Sequence, residues 1–329
     1  MEKIKNKRVL ITGGLGMIGS TIASKLIDYG AEVTLLDAMI KPYGGNFFNI
    51  REIKDKIHIN IADIRDKEAI KILVQDKDLI FNLAGQVSHN DSLQNPFLDA
   101  DINYIGHLTV LDALKNYNPK GKILYSGSRL QFGKILSNPV SEDHPLNPLT
   151  PYALNKTAAE NLYLYYNRVY NIPVVIFRIA NPYGPRCQMQ HSKYSIINWF
   201  IRKAMEDEEI QIFGDGNQMR DYIFVGDLAD AFISAAFNDR TSGEIFNIGS
   251  GVGTKFSDMV KSIIKVVGSG KIKYQSWPKD YLNVETGDYI TNIDKIKSLV
   301  NWIPTTILDD GIIETVNFYR RFKSYYWGL

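Results

Sequence analysis

The stretch VLITGGLGMIGS, residues 9–20, predicts a glycine-rich turn between a strand and a helix. Its four glycines are Gly13, Gly14, Gly16 and Gly19. Glycine-rich turns are common, so the flanking residues decide what this one does. A short apolar, β-branched run precedes the turn, which is typical of a buried parallel strand. Apolar residues then recur at helical spacing as far as Gly30, a natural helix stop.

A second apolar strand follows and ends in Asp37, about 20 residues beyond the glycines, which is the spacing of a Rossmann dinucleotide-binding unit. The glycines allow backbone N–H groups to approach a pyrophosphate, and the helix N-terminus adds partial positive charge. Asp37 can accept hydrogen bonds from ribose hydroxyls and would repel a 2′-phosphate, so the pattern favours NAD over NADP. The alternative interpretation is a structural turn with an unrelated acid downstream.

Composition excludes several classes of protein. A chain of 329 residues can bury a large core, in one domain or two. Its net charge of +2 indicates neither a nucleic-acid nor a membrane partner. The single cysteine rules out an intramolecular disulfide. Because no signal peptide or membrane-length apolar run is recognised, we expect a cytoplasmic protein, and we predict no metal site.

Strand and helix patterns alternate through the first half of the chain, which predicts an α/β fold with a doubly wound parallel sheet. After residue 180 the alternation breaks and a smaller α/β domain is expected. We assign an NAD-binding domain to 1–180, with 221–248 returning to it, and a substrate-binding domain to 181–220 and 249–329. The predicted strands are 56–60, 79–83, 122–126 and 174–178, and the predicted helices are 66–74, 95–117 and 151–170.

Tyr152 and Lys156 are four residues apart on the last of these helices and therefore share one face. An ammonium beside a phenol lowers the pKa of the phenol, so Tyr152 is expected to exchange a proton near neutral pH. The pattern alone is weak, because the chain has 19 tyrosines and a solvated helix face is the default. Ser128 adds weight, since a hydroxyl at the end of a predicted strand can hydrogen-bond the reacting oxygen.

Taken together, these motifs resemble the extended short-chain dehydrogenases/reductases of the nucleotide-sugar epimerase/dehydratase family, and in particular UDP-glucose 4-epimerase-like enzymes. The resemblance covers nearly the whole chain. The matching segments are TGGLGMIG (12–19), Asp37, DIR (63–65), NLAGQVSHNDSLQNP (82–96), Asn103, SGSRLQFG (126–133), Tyr152-x-x-x-Lys156, NPYGPR (181–186) and RDYIFVGDLADAF (220–232).

The resemblance implies a Rossmann-type fold, bound NAD, a nucleoside-diphosphate sugar substrate, and catalysis by Ser128, Tyr152 and Lys156. Asp63 and Ile64 would meet the adenine, and Lys156 would also hold the nicotinamide ribose. The implied cofactor-binding residues are Gly13, Gly16, Met17, Ile18, Gly19, Asp37, Asp63, Ile64, Leu83, Ala84, Gly85, Asn103, Tyr152 and Lys156. The implied substrate-binding residues are Gln86, Ser128, Arg129, Asn181, Arg186, Asn198, Phe213 and Arg220.

The resemblance also implies a homodimer. The two long helices, 95–117 and 151–170, would pair with their copies in a second subunit as a four-helix bundle. The sequence pattern offers apolar residues for the outer face of these helices. Those expected to be exposed are Leu108, Leu111, Leu162 and Tyr166.

Departures from the family pattern narrow the reaction. In the 4,6-dehydratases of this family a threonine followed by Asp and Glu carries out water elimination, whereas here Ser128 is followed by Arg129 and Leu130. An epimerase or a keto-sugar reductase needs only Ser, Tyr, Lys and a nicotinamide. Asp37 and its preference for NAD favour an epimerase acting at C4 through a transient 4-keto intermediate. The alternatives are a 4-keto-sugar reductase and, more distantly, a non-catalytic dinucleotide-binding regulator.

This chain lacks one phosphate-contacting residue of the family pattern. Glu285 stands where many members have an arginine. Arg129, Arg186 or Lys193 could supply the absent positive charge. The nucleotide base and the sugar cannot be read from these residues.

Overall fold

The computed structural model describes residues 3–40 and 45–327, without the side chains of 279–281. Twelve strands are present in this part of the chain. They are β1 (Arg8–Thr12), β2 (Glu32–Asp37), β3 (His58–Ile61), β4 (Leu79–Asn82), β5 (Lys122–Ser128), β6 (Val174–Ile179), β7 (Asn181–Tyr183), β8 (Glu209–Phe213), β9 (Met219–Phe224), β10 (Glu244–Ile248), β11 (Gly253–Lys255) and β12 (Lys271–Gln275).

Twelve α-helices connect or cover these strands in the described residues. None of them has both the length and the apolar character required to cross a membrane. They are α1 (Met17–Asp28), α2 (Lys67–Leu73), α3 (His89–Gln94), α4 (Pro96–Ala100), α5 (His107–Tyr117), α6 (Pro151–Tyr170), α7 (Ile196–Met205), α8 (Val225–Ala236), α9 (Phe256–Val267), α10 (Lys279–Val284), α11 (Asp294–Val300) and α12 (Leu308–Phe322).

Seven strands form one parallel sheet in the order β10-β6-β5-β4-β1-β2-β3. From β1 the chain winds outward to β3, then crosses back and winds the other way from β4. Connections therefore leave β1 and β4 on opposite sides, which opens a crevice beyond their carboxyl ends. The predicted α/β class with a Rossmann-type doubly wound sheet is confirmed.

Helices cover both faces of this sheet, which explains why consecutive residues in the middle of its central strands are apolar and buried. Val9 and Ile11 of β1 belong to the core under α1 and α8. Leu10, between them, belongs to the core under α5 and α6. Alternate residues of one strand thus enter different cores because successive side chains point to opposite faces.

Two small sheets lie outside the large one. Their strand orders are β11-β9-β7 and β12-β8, and residues from α7, α9 and α12 share a separate core with them. Segment 221–248, predicted to return to the NAD-binding domain, contacts both the large sheet and a small one. The helix α8 packs on α1 and β10 pairs with β6, but β9 pairs with β7 and β11.

The long helix predicted at 95–117 consists of α4, a π-helical segment (Asp101–Gly106) and α5. A π segment places one extra residue in a turn and is frequent at functional sites. Asn103 stands in this segment and its side chain is buried.

The expectation of an exposed apolar face at Leu108, Leu111, Leu162 and Tyr166 is wrong. Leu111 and Tyr166 are buried in the core beneath the sheet, and Leu108 and Leu162 pack against the same core. Each of these helices uses one apolar stripe to cover the sheet, so only its remaining apolar residues can contact a partner. Helical periodicity alone does not distinguish the two sets of residues. The exposed large apolar side chains in these two stretches are Phe97, Ile105, Tyr117, Leu154, Tyr165, Val169 and Tyr170.

Candidate active site

A cavity of about 740 Å³ follows the carboxyl ends of β1, β2, β4, β5 and β6. One end is formed by the glycine turn and Asp37, and the opposite end by residues of α7 and β8 together with Trp277. The pair Tyr152 and Lys156 lies in its wall between these ends. The topology of the sheet thus brings residues from distant parts of the sequence to one elongated pocket.

The glycine turn is shaped to bring backbone close to whatever occupies its end of the cavity. Gly13 has φ +65°, and a Cβ on Gly19 would lie 2.4 Å from the carbonyl oxygen of Gly13. Helix α1 begins at Met17, and none of the described side chains caps its first turn. Its first N–H groups therefore remain available for an anion such as a pyrophosphate.

Asp37 joins the end of β2 to the glycine turn. Its carboxylate accepts hydrogen bonds from the backbone N–H groups of Leu15 and Met39, each at 3.0 Å. Burial raises the pKa of Asp37, and these two hydrogen bonds oppose that shift. The carboxylate also lines the cavity, so it can order the turn and meet a ribose at the same time.

The other predicted cofactor residues lie along the same half of the cavity. The N–H groups of Leu83 and Ala84 donate to the hydroxyl of Thr12, both at 3.1 Å, which fastens the end of β4 to β1. Asp63 forms an ion pair with Arg65 at 2.7 Å. Of the predicted set, those that line the cavity are Gly13, Gly16, Met17, Ile18, Gly19, Asp37, Asp63, Ile64, Leu83, Ala84, Gly85, Tyr152 and Lys156.

Asn103 lies behind this wall rather than in it. Its amide N–H₂ donates to the carbonyl of Gln86 at 2.8 Å and to Asp99 at 3.0 Å. Its side-chain oxygen is buried without a hydrogen-bond partner in the described residues. A Cβ on Gly85 would lie 2.8 Å from that oxygen and 3.3 Å from the Lys156 ammonium. An unused acceptor beside Gly85 and Lys156 fits a site that orders the side chains around a bound cofactor.

Ser128, Tyr152 and Lys156 are brought together at the centre of the cavity. Thr150 caps α6, so Tyr152 lies in its first turn and Lys156 one turn later. The Ser128 side chain lies near enough to the Tyr152 hydroxyl to affect the pKa of Tyr152. The Lys156 ammonium donates to the carbonyl of Ser126 at 3.0 Å and lies 5.9 Å from the Tyr152 ring centroid.

The electrostatics of this group differ from the sequence-based expectation. Burial raises the pKa of Tyr152 to about 12, although the Ser128 side chain opposes the shift. Burial lowers the pKa of Lys156 to about 8. The expectation that Tyr152 exchanges a proton near neutral pH is therefore wrong for the chain without cofactor, because loss of water disfavours the phenolate of Tyr152 as well as the ammonium of Lys156.

Sequence reasoning missed the residues that hold Ser128 in place. The Ser128 N–H donates to the side-chain oxygen of Gln131 at 2.7 Å, and the Gln131 amide donates to Glu160 at 2.7 Å. Glu160 in turn forms a buried ion pair with Arg178 at 2.6 Å. The Ser-x-x-Gln spacing is a capping-box pattern and could have been recognised. The pairing of Glu160 with Arg178 has no local signature.

The predicted substrate residues divide into two groups. Ser128, Arg129, Asn181, Phe213 and Arg220 line the cavity, whereas Gln86, Arg186 and Asn198 are not among its lining residues.

The side chains of the second group are engaged elsewhere. Gln86 hydrogen-bonds both backbone groups of Ser88. The Arg186 guanidinium contacts Ser20 and Thr21 of α1, each at 3.4 Å. The amide of Asn198 bonds Gly184 and Tyr319.

Arg220 reaches the cavity with its charge already paired. Its guanidinium forms an ion pair with Glu285 and donates to the carbonyls of Met219 at 2.9 Å and Gly287 at 3.0 Å. Glu285, which stands where the family pattern has an arginine, thus neutralises the positive charge of Arg220. Phe213 and Trp277 form an aromatic pair beyond it, with ring centroids 5.5 Å apart.

Residues 9–249 match the model of the NAD dependent epimerase/dehydratase family. The chain belongs to this family.

Its relatives are similar over nearly their full length. The UDP-glucose 4-epimerase of Mycolicibacterium smegmatis is 32% identical over 95% of this chain and 98% of its own. The UDP-glucose 4-epimerase of Thermotoga maritima, solved with UDP-glucose, has a TM-score of 0.88 at 28% identity, covering 96% of this chain and 99% of that one. The UDP-glucose 4-epimerase of Thermus thermophilus, solved with NAD, has a TM-score of 0.84 at 26% identity, covering 95% and 99%.

NAD is the cofactor of this family, and the residues present fit it. The glycine turn and the first turn of α1 would hold the pyrophosphate, Asp37 the adenosine ribose, and Lys156 the nicotinamide ribose. Beyond Ser128, residues of α7 together with Phe213 and Trp277 line the far end of the cavity. None of these residues is assigned to NAD, so this end can take a second ligand.

We predict that the protein binds NAD roughly tenfold or more tightly than NADP, because the Asp37 carboxylate would face the extra phosphate. Asp37→Asn keeps the size of the side chain and should narrow this gap. Since burial raises the pKa of Asp37, the preference should fade on acidification at a higher pH than for an ordinary aspartate. Calorimetric titration with NAD and with NADP measures this preference. Equal affinities in the wild type would contradict the role assigned to Asp37.

Proposed function

We propose that this protein is an NAD-dependent nucleotide-sugar epimerase that inverts C4 through a transient 4-keto sugar. The observation that carries the proposal is the central group of Ser128, Tyr152 and Lys156 without the acid pair of a dehydratase beside it. The two residues after Ser128 are Arg129 and Leu130. No proton carrier for water elimination accompanies Ser128 at these two positions, whereas proton exchange at one hydroxyl is fully provided for.

Each residue of this group has one task in the proposed mechanism. Tyr152 removes the proton from the sugar 4-hydroxyl and returns it after the sugar has presented its other face. Ser128 donates or accepts a hydrogen bond at the same oxygen and keeps it within reach of Tyr152. Bound NAD supplies the acceptor, and afterwards the donor, of the C4 hydride. Oxidation and reduction therefore balance within one turnover.

Two features of α6 support an ionised Tyr152 during the reaction. Tyr152 lies in the first turn, where the helix carries partial positive charge. Lys156 lies on the same face, and its ammonium is held near the Tyr152 ring by the carbonyl of Ser126. Against them stands the burial that raises the pKa of Tyr152. The positive charge of an oxidised nicotinamide would act in the same direction as the helix and Lys156.

The nucleotide is proposed to occupy the far end of the cavity. Trp199, Phe213 and Trp277 line this end, and aromatic side chains of this kind can stack on a base. The relatives named above are UDP-glucose 4-epimerases, which makes uridine nucleotides the first substrates to test.

The test is incubation of the purified protein with a panel of uridine, thymidine, cytidine and guanosine diphosphate sugars, without added cofactor, followed by NMR. An epimerase converts one member into an equilibrium mixture of C4 epimers. In a parallel incubation with 4-keto sugar nucleotides and added reduced nicotinamide, a 4-keto-sugar reductase would instead consume the nicotinamide in proportion to product. Binding of a nucleotide sugar without any turnover would contradict the proposal and favour a regulator.

We also propose a homodimer through α5 and α6. Its support is the set of exposed apolar side chains on these helices and the segment that leads into α5, such as Ile105, Leu154 and Val169, which are 43%, 58% and 49% exposed. Light scattering at micromolar concentration should give twice the mass of the chain. A monomer would contradict this part of the proposal without touching the reaction.

A further inference from the structure

Arg129 occupies the cavity wall at the position directly after Ser128. Its Nε donates to the side-chain oxygen of Asn181 and its Nη1 to the hydroxyl of Thr286, both at 3.1 Å. Its guanidinium lies 5.4 Å from the ring centroid of Tyr289. These three contacts hold the side chain in one orientation along the cavity.

Arg129 forms no direct ion pair in the described part of the chain, although Glu285, paired with Arg220, is near enough to oppose the lowering of the Arg129 pKa. Asn181 and Thr286 are uncharged, and no described carboxylate lies within 4.0 Å of the guanidinium. Burial and the nearby Arg220 lower the pKa of Arg129 to about 10, so it stays protonated at neutral pH. A confined guanidinium without a partner is costly to the fold, which suggests that its partner is a ligand.

The other cations at this end of the cavity are already paired. Arg220 has Glu285, Lys193 has Asp91 at 2.7 Å, and Lys203 has Glu208 at 2.9 Å. Arg186, a further candidate from the sequence, does not line the cavity. Arg129 is therefore the residue best placed to supply the charge that Glu285 removes.

We propose that Arg129 is a specificity residue that binds an anionic group of the nucleotide sugar close to the reacting carbon. The inference rests on the proposed function. Arg129 directly follows Ser128, and both residues line the cavity that also contains Tyr152. A guanidinium binds carboxylate and phosphate oxygens through the same forked N–H groups. The anion is either a carboxylate on the sugar or the sugar-linked phosphate.

The experiment compares the NAD-loaded wild type with Arg129→Gln, using UDP, UDP-glucose and UDP-glucuronate as probes in calorimetric titrations. Loss of a charge-assisted hydrogen bond should weaken binding by roughly 10- to 100-fold. A loss confined to UDP-glucuronate identifies a sugar carboxylate as the anion. An equal loss for all three probes identifies the phosphate. Arg129→Lys keeps the charge without the fork and should recover part of the affinity.

Arg168→Gln is the matched control, because Arg168 is an exposed arginine on α6 and its loss changes the net charge equally. Unchanged melting temperature and NAD affinity in Arg129→Gln show that the fold is intact. Wild-type affinity of Arg129→Gln for all three probes would overturn the inference while leaving the proposed function in place. A wild type that binds none of the probes would overturn the uridine-sugar assignment and the inference with it.

Discussion

Tyr152→Phe should lower turnover by roughly 10²–10⁴-fold, the range expected when a positioned acid–base group is lost. The ring stays, so its packing in the cavity wall is kept. Only the hydroxyl near Ser128 is removed. Thermal unfolding and NAD affinity should therefore stay close to those of the wild type, while epimer formation measured by NMR nearly stops.

Tyr165→Phe is the matched control for this variant. Tyr165 lies on the same helix, but its side chain is 40% exposed and hydrogen-bonds only to the Tyr170 hydroxyl among the described residues. Its turnover should be unchanged. A Tyr152→Phe protein that works at near wild-type rate would show that another group carries the proton, and the proposed mechanism would fail with it.

The ionisation of Tyr152 can be followed separately by the ultraviolet absorbance of tyrosinate. The absorbance of Tyr152→Phe is subtracted from that of the wild type at each pH. Since burial raises its pKa to about 12, the neutral phenol is favoured in the cofactor-free protein and the difference signal should appear only in strong alkali. Oxidised NAD should bring the signal to lower pH, because its nicotinamide is positively charged. An unchanged titration with NAD would contradict the role given to the cofactor charge.

Lys156→Met should change activity and stability in opposite directions. It removes the ammonium proposed to hold the nicotinamide ribose and to favour the ionised Tyr152, so turnover and NAD affinity should both fall. It also removes a buried charge whose pKa has been lowered to about 8. The cofactor-free variant should therefore be more stable at pH 7 by on the order of 1–3 kcal/mol, net of the lost hydrogen bond to Ser126.

The stability difference has a defined pH dependence. An unfolded lysine binds its proton up to about pH 10.5, whereas folded Lys156 releases it near pH 8. The unfolded wild type thus binds more protons between these values, and its folded state gains stability as pH rises through them. In denaturant titrations, the free energy of unfolding of Lys156→Met should exceed that of the wild type by its full amount below pH 8. The difference should shrink as the pH rises towards 10.5.

Lys265→Met, an exposed lysine on α9, should change neither quantity. Lys156→Arg is not a suitable control, because a guanidinium differs in shape and in its hydrogen-bonding geometry. If cofactor-free Lys156→Met is less stable than the wild type at pH 7, the Lys156 ammonium stabilises the fold, and the prediction is wrong.

The sequence by itself determined those features that depend on neighbouring residues. The glycine turn, Asp37 at the end of β2, and the Tyr152 and Lys156 pair on α6 all lie within one or two adjacent elements. Their spacing follows from the geometry of a strand, a turn or a helix, so the parallel sheet and the NAD end of the cavity could be predicted. Ser128 could be placed with them because the carboxyl ends of parallel strands meet at one edge of the sheet.

Only the tertiary structure decided features that depend on what packs around a residue. Leu111 and Tyr166 are buried although their helices looked amphipathic, because one stripe of each helix is needed by the sheet. Arg220 is neutralised by Glu285, and Arg178 by Glu160, across separations in sequence that no local pattern records. The pKa of Tyr152 is raised because burial outweighs the opposing effect of Ser128, and burial is a property of the folded chain alone.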